Sequence, residues 1–249
     1  MKHLLLISTV ILFFACSGEH KSQTLKIACA ANMQFALDSI AVLFESEHDI
    51  RCEITYGSSG TLTAQIENGA PYELFFSANE AYPEHLYGLG KGEEPFNYAK
   101  GRLLLVYSKD KSYQSMKEAL NGDGVNRIGI ADNRTAPYGM AANAYLESNG
   151  LKDGLNDKLV VGESIGQVNQ YIVTGAVDMA FTSYGFKIKH GGDYQYLEVD
   201  QAFFDPIRQN AMVLTKQDGE VNESAEKMVK FIQSPKCKAV LDYFGYFTD

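Results

Sequence analysis

A chain of 249 residues, 45% hydrophobic and 21% charged, has the make-up of a folded protein of one large domain or two small lobes, and excludes a disordered chain. Its formal net charge of −9 argues against a nucleic-acid partner, which would be met by a basic face. The same acidity means that any anionic ligand has to be held by local dipoles and hydroxyls, since no global positive field draws it in.

The chain opens with Lys2 and His3, followed by the apolar run Leu4 to Phe14. This run is too short to span a bilayer comfortably and has the form of a secretory signal. Ala15 then places a small residue directly before Cys16. Residues 1–16 therefore read as a lipoprotein signal in which cleavage precedes Cys16 and that cysteine carries lipid. The polar residues that follow make 17–24 a tether. The mature protein is expected outside the cytoplasmic membrane, on its periplasmic or cell-surface face, anchored through Cys16. The other cysteines are Cys29, Cys52 and Cys237. An odd number cannot all pair within the chain, and buried free thiols are the simpler reading, with one disulfide open to an exported protein. Their spacing fits no zinc site.

From Leu25 the elements alternate. Leu25–Ala30 is a short apolar run suited to a buried strand. Met33, Leu37, Ile40 and Phe44 then recur at helical spacing, with Asn32 placed as the N-cap. Cys52–Tyr56 reads as a second strand and Leu62 with Ile66 as a second helix, stopped at Gly69. Leu74–Ser77 is a third strand. After a looser stretch from Gly88 to Pro95, Arg102–Ser108 is strongly apolar. Asn126–Ala131, Leu159–Gly162 and Val177–Thr182 read as further strands. Between them lie helices opened by Pro137-Tyr138-Gly139 and by Ser164. Tyr194–Val199 and Asn210–Thr215 look like strands, and helices follow at Glu223–Gln233 and Pro235–Tyr243.

Strand–helix alternation of this kind predicts parallel α/β sheets. The second run of alternation implies a second lobe, and the late helices need a core that the first lobe supplies. The expected organisation is 25–101 plus 206–249 in lobe 1 and 102–205 in lobe 2. Two crossings then join the lobes around a ligand cleft.

Two turns focus the functional reading: Ala31-Asn32 after the first strand and Ser58-Ser59-Gly60 after the second. Each leaves the first N–H groups of a helix without partners, and two such turns side by side suit an anion. Together with Leu74-Phe75-Phe76-Ser77-Ala78-Asn79, Pro137-Tyr138-Gly139, Gly162-Glu163-Ser164-Ile165 and Tyr243-Phe244-Gly245-Tyr246, they occur in an order and spacing that resemble the periplasmic molybdate-binding proteins, the substrate-binding components of molybdate ABC transporters. The resemblance spans essentially the whole mature chain.

What it implies is a type II periplasmic-binding fold that closes on its ligand by hinge motion, no catalysis, no cofactor and a monomer. The ligand would be molybdate, and tungstate beside it, and the partners an ABC permease and the membrane reached through the lipid anchor, with no nucleic acid. Position by position, Asn32 and Ser59 fall on first-lobe ligands, each offering a side-chain group and a nearby N–H. Tyr138 and Ile165 fall on second-lobe positions that give backbone N–H donors. Ser58 and Ala78 are second-rank candidates. Some members of that family use a tyrosine hydroxyl where this chain has Ser183. Ser183, Thr182, Tyr184 or the hydroxyl of Tyr138 is expected to take its place. Molybdenum would be met only as the bound oxyanion, with no protein atom on the metal.

Other readings remain at this point. One is a binding protein for another oxyanion such as sulfate; the other is an exported thiol hydrolase with Cys29 as its nucleophile. A thiol nucleophile needs a base, and the five histidines stand in no motif context. There is also no Gly-x-Ser-x-Gly elbow and no phosphate-binding P-loop.

Overall fold

The computed structural model describes residues 23–216 and 219–248. The signal segment, Cys16 and all of the tether but residues 23 and 24 lie outside the described residues. The chain first runs through β1 (Gln23–Ala30), α1 (Gln34–His48), β2 (Ile50–Gly57), α2 (Ser59–Glu67), β3 (Leu74–Ser77), α3 (Ala81–Gly88) and β4 (Phe96–Gly101). It continues with β5 (Leu103–Ser108), α4 (Met116–Leu120), β6 (Ile128–Ala131), α5 (Pro137–Ser148), α6 (Lys152–Leu155), β7 (Leu159–Gly162), α7 (Ile165–Val173), β8 (Met179–Ser183), α8 (Tyr184–His190) and β9 (Tyr194–Glu198). It returns through β10 (Ile207–Val213), α9 (Glu223–Ile232) and α10 (Pro235–Tyr243).

The strands form two five-stranded sheets, ordered β2-β1-β3-β10-β4 and β7-β6-β8-β5-β9. In the first, β1 runs parallel to β2 and β3, while β10 is antiparallel to β3 and β4. In the second, β6 is parallel to β7 and β8, while β5 is antiparallel to β8 and β9. Each lobe is thus a parallel trio with an antiparallel pair beside it. The chain crosses between the lobes twice, at Arg102 between β4 and β5 and again between β9 and β10.

Burial explains the strand sequences. Leu25, Ile27, Ala28 and Cys29 of β1 have no exposed surface, because β1 is covered on both faces. On one face Leu25, Ile27 and Cys29 join Leu37, Ile40 and Phe44 of α1 and Met228, Phe231 and Leu241 from α9 and α10. The late helices therefore complete the core of the first lobe, as their apolar stripes require. Phe44 and Phe231 seal this contact with ring centroids 5.4 Å apart. On the other face Ala28 packs with Leu62, Ile66 and Phe75 under α2. The second lobe has its own core around Leu103–Tyr107, Ile128, Leu146 and Phe181.

Several elements differ from the sequence expectation. β1 starts at Gln23, because its ladder with β2 extends back to the Gln23–Ile50 pair. Helices α3 and α8 and strand β4 carry little apolar periodicity and were not anticipated. Asn32 does not cap α1. It sits in a 3-10 turn, Ala31–Met33, and Met33 occupies the cap position without a side-chain bond. All three cysteines beyond the signal are free thiols, with Cys29 and Cys237 buried.

The start of α5 is fixed by close backbone packing. A Cβ on Gly139 would fall 2.2 Å from the carbonyl oxygen of Ala131, so only glycine lets the helix begin against the end of β6. A Cβ on Gly154 would meet nothing within 4 Å. Overpacking of this kind costs about 1–3 kcal/mol. Gly139→Ala is therefore expected to lower the melting temperature by roughly 2–12 °C, while Gly154→Ala leaves it within about 2 °C, both read by differential scanning calorimetry.

Candidate anion-binding site

The carboxyl ends of the parallel strands face one another across the gap between the lobes, and five chain turns meet there. From the first lobe come Ala30–Asn32 after β1, Gly57–Ser59 after β2 and Ala78 after β3. From the second come Ala136–Tyr138 before α5 and Ile165 at the head of α7. They line a narrow space whose cavity volume in this closed form is about 10 Å³. None of the lining residues carries a formal charge.

Each helix start leaves N–H groups that its own helix cannot satisfy. In α2 the Ser58 side chain caps the helix, accepting from the Thr61 N–H at 3.3 Å and donating to the Thr61 Oγ1 at 2.7 Å. The Ser59 N–H, one residue on, has no acceptor among the described residues. Ser59 Oγ accepts the Ala78 N–H at 3.0 Å, which leaves its own proton to donate. In α5 Pro137 fills the first position, where its missing N–H is no loss, and Ala136 offers no side-chain cap. The Tyr138 N–H thus has no acceptor among the described residues. In α7 Ser164 caps through the Gln167 N–H at 3.4 Å, and the Ile165 N–H is left over. Three helix starts and the 3-10 turn at Asn32 therefore surround one small neutral space.

The lobes are closed around it. The Gly60 N–H donates to the Thr135 carbonyl at 2.8 Å, and the Tyr82 hydroxyl to the Arg134 carbonyl at 3.1 Å. A Cβ on Gly166 would stand 3.4 Å from Ala31 Cβ, so the head of α7 touches the turn after β1. Ser183 Oγ, at the end of β8, donates to the Asn32 carbonyl at 3.2 Å.

The sequence candidates therefore part into two groups. Asn32, Ser58, Ser59, Ala78, Tyr138 and Ile165 come together on the lining. Ser183 does not; its hydroxyl is spent on the Asn32 carbonyl behind the space. Thr182 Oγ1 donates to Asn169 Oδ1 at 2.5 Å. The Tyr184 hydroxyl accepts from Lys187 at 2.9 Å, and its ring lies 4.2 Å under the Arg102 guanidinium. The Tyr138 hydroxyl has no open surface, so it is not the part of Tyr138 that faces the space.

Two residues beyond the candidate set shape the site. Asn32 Nδ2 donates to Gln209 Oε1 at 2.9 Å and to the Tyr246 hydroxyl at 3.0 Å, and that hydroxyl donates to the Asn32 carbonyl at 2.9 Å. The amide protons of Asn32 are thus spent in locking its own turn. Tyr246 lies within a motif the sequence singled out. Gln209 lies just ahead of the strand expected at Asn210–Thr215 and carries no signal of its own; the strand in fact begins at Ile207. Burial raises the hydroxyl pKa of both Tyr138 and Tyr246, so both stay neutral. Burial, helped by Asp38, also holds the Cys29 thiol well above its ordinary value, which keeps it a protonated and unreactive core group. Among the described residues, no group of three or more His, Cys, Asp or Glu is placed to hold a metal ion. No helix among them is long and apolar enough to cross a membrane.

Comparison with known proteins agrees with this geometry. The family model described as bacterial extracellular solute-binding protein matches residues 25–247. The molybdate-binding protein ModA of Azotobacter vinelandii is 32% identical over 237 residues, covering 93% of this chain and 92% of the relative. The ModA protein of Rhodobacter capsulatus is 31% identical, covering 89% and 87%. The solved structure of the Azotobacter vinelandii periplasmic molybdate-binding protein superposes with a TM-score of 0.83 at 31% identity, covering 90% of this chain and 99% of that one. Two α/β lobes, two crossings and a cleft at the strand ends are the periplasmic-binding fold, and the chain belongs to the family of bacterial extracellular solute-binding proteins, as a homologue of the ModA proteins.

Proposed function

We propose that this protein captures molybdate, and tungstate with it, as the dianion in the space between the lobes and delivers it to an ABC permease. The observation that carries this reading is the convergence of helix starts from both lobes on a space lined only by neutral groups. A tetrahedral dianion offers acceptors in every direction, and the oriented N–H groups of helix starts meet it without reorganisation. Ser59 gives its hydroxyl proton and its N–H, and Asn32, Tyr138 and Ile165 give backbone N–H groups. Ser58 and Ala78 shape the turn around Ser59. Ser183 acts through the Asn32 carbonyl, as a closing bond between the lobes. Selection then rests on size and on full deprotonation: sulfate is smaller, and phosphate brings a proton that a donor-only cage opposes. The homology to ModA supports the choice of molybdate over other oxyanions, and the two metal oxyanions are too alike in size for this cage to separate. The protein acts on the outer side of the cytoplasmic membrane as a monomer, held by lipid on Cys16, with no catalytic step and no resident cofactor.

Three outcomes test this. Titration calorimetry on the mature protein should show tight binding of molybdate and tungstate and little heat with sulfate or phosphate. Flat traces for both metal oxyanions, or sulfate binding as tightly as molybdate, would overturn the reading. Ser59→Ala removes one charge-assisted donor and strips the Ala78 N–H of its acceptor, so molybdate affinity should fall by roughly 10- to 100-fold with the fold intact by circular dichroism. Finally, no group on the lining titrates near neutrality, and burial keeps the Tyr138 and Tyr246 hydroxyls neutral as pH rises. The molybdate dissociation constant should therefore be flat between about pH 6.5 and 8.5, measured by calorimetry in buffers of equal ionic strength.

A further inference from the structure

The ladder that carries the chain back into the first lobe is irregular. Gln209 of β10 pairs with Ala99 of β4, but the next residue, Asn210, pairs with Asn97, so Tyr98 is left over as a bulge. Tyr98 and Ala99, neighbours in the chain, therefore both enter the first-lobe core. The Tyr98 hydroxyl donates to Met33 Sδ at 2.7 Å, one residue past Asn32. Asn97 pins the bulge: its Nδ2 donates to the Gln209 carbonyl at 3.1 Å and to Asn210 Oδ1 at 2.9 Å. The backbone of Gln209 is thus fixed at the bulge, and bulges recur beside functional sites because they aim side chains.

Gln209 has no exposed surface, and a buried amide needs partners. One end of it meets the hinge. Nε2 donates at 2.9 Å to the carbonyl of Ile207, the first residue of β10 after the second crossing. Ile207 belongs to the second-lobe core although its strand lies in the first-lobe sheet. A Cβ on Gly101, the last residue of β4 before the first crossing, would stand 3.1 Å from the same nitrogen. The other end meets the anion space, where Oε1 accepts from Asn32 Nδ2 at 2.9 Å. The 3-10 turn of Asn32 has no side-chain cap, so partners distant in sequence hold its shape.

We propose that Gln209 is a positioning residue that ties the hinge to the anion space. Its amide holds the Asn32 turn against the start of β10, so the turn is set before a ligand arrives and the cost of ordering it is not taken from binding. Gln209 itself does not line the space and touches no ligand. The role rests on the proposed oxyanion function only for the identity of the ligand.

The test uses Gln209→Met, which fills a similar volume without hydrogen bonds, and Gln209→Asn, which keeps an amide too short to reach both ends. In calorimetry both should bind molybdate about 5- to 30-fold more weakly than the parent. In hydrogen exchange read by mass spectrometry, both ligand-free variants should exchange faster at residues 30–35, with the second-lobe core unchanged and the difference closing at saturating molybdate. A residue that only fills the core would lower the melting temperature and leave both affinity and exchange at residues 30–35 as in the parent, and that pattern overturns the proposal. Faster exchange spread evenly over the first lobe overturns it as well. If Gln209→Met does not fold, Gln209→Asn decides alone. If the parent binds neither molybdate nor tungstate, the functional reading fails by itself. Exchange at residues 30–35 then decides the positioning role, and unchanged exchange there overturns it.

Discussion

An α-helix cannot satisfy its own first N–H groups, and this site depends on that constraint. In most helices a side chain or water takes up the surplus. Here Ser58 and Ser164 take only part of it, and Pro137 removes one donor without supplying an acceptor. What remains is aimed at one space from two lobes. The site is thus a by-product of where helices begin, and strand–helix alternation decides where they begin. A chain of net charge −9 can hold a dianion on these terms, since the field that matters is set within a few ångströms.

Neutrality also governs the hinge. With no charged residue on the lining of the space, its walls give the halves no charge–charge attraction there, and specific bonds such as Gly60 to Thr135 and Ser183 to Asn32 hold the closed form. Each contributes on the order of 1 kcal/mol. Terms of that size are small enough for one ligand to tip the balance. The Asn32 turn belongs to both systems, because its carbonyl takes the closing bond from Ser183 while the residue lines the space between the lobes.

The strands and the long helices were legible because burial on one or both faces writes itself into local sequence. β1, β3, β5 and β6 are apolar runs, and α1, α7 and α9 show clear stripes. The turns at Asn32, Ser59, Tyr138 and Ile165 were legible as helix starts, and the family resemblance brought them into one set. The role of the Asn32 side chain was not legible. An asparagine ahead of a helix reads as a cap, and what overrides that are partners 177 and 214 residues away, Gln209 and Tyr246. Ser183 hides for the same reason, since its acceptor is 151 residues distant. Helices α3 and α8 and strand β4 escaped because they are short and lean on neighbours, with little periodicity of their own.

The first lobe is assembled from both ends of the described chain, and this sets an order of events during synthesis and export. β1 and β3 emerge early, but β10 joins β3 only after the whole second lobe has been made. Later still, Phe247 exchanges two backbone bonds with Lys100, stitching the tail beside the crossing, and Tyr246 reaches Asn32. A chain made only as far as β9 therefore holds every strand of the second lobe, but its first-lobe sheet still lacks β10 and its Asn32 turn still lacks Tyr246. Such a chain has no competent cage.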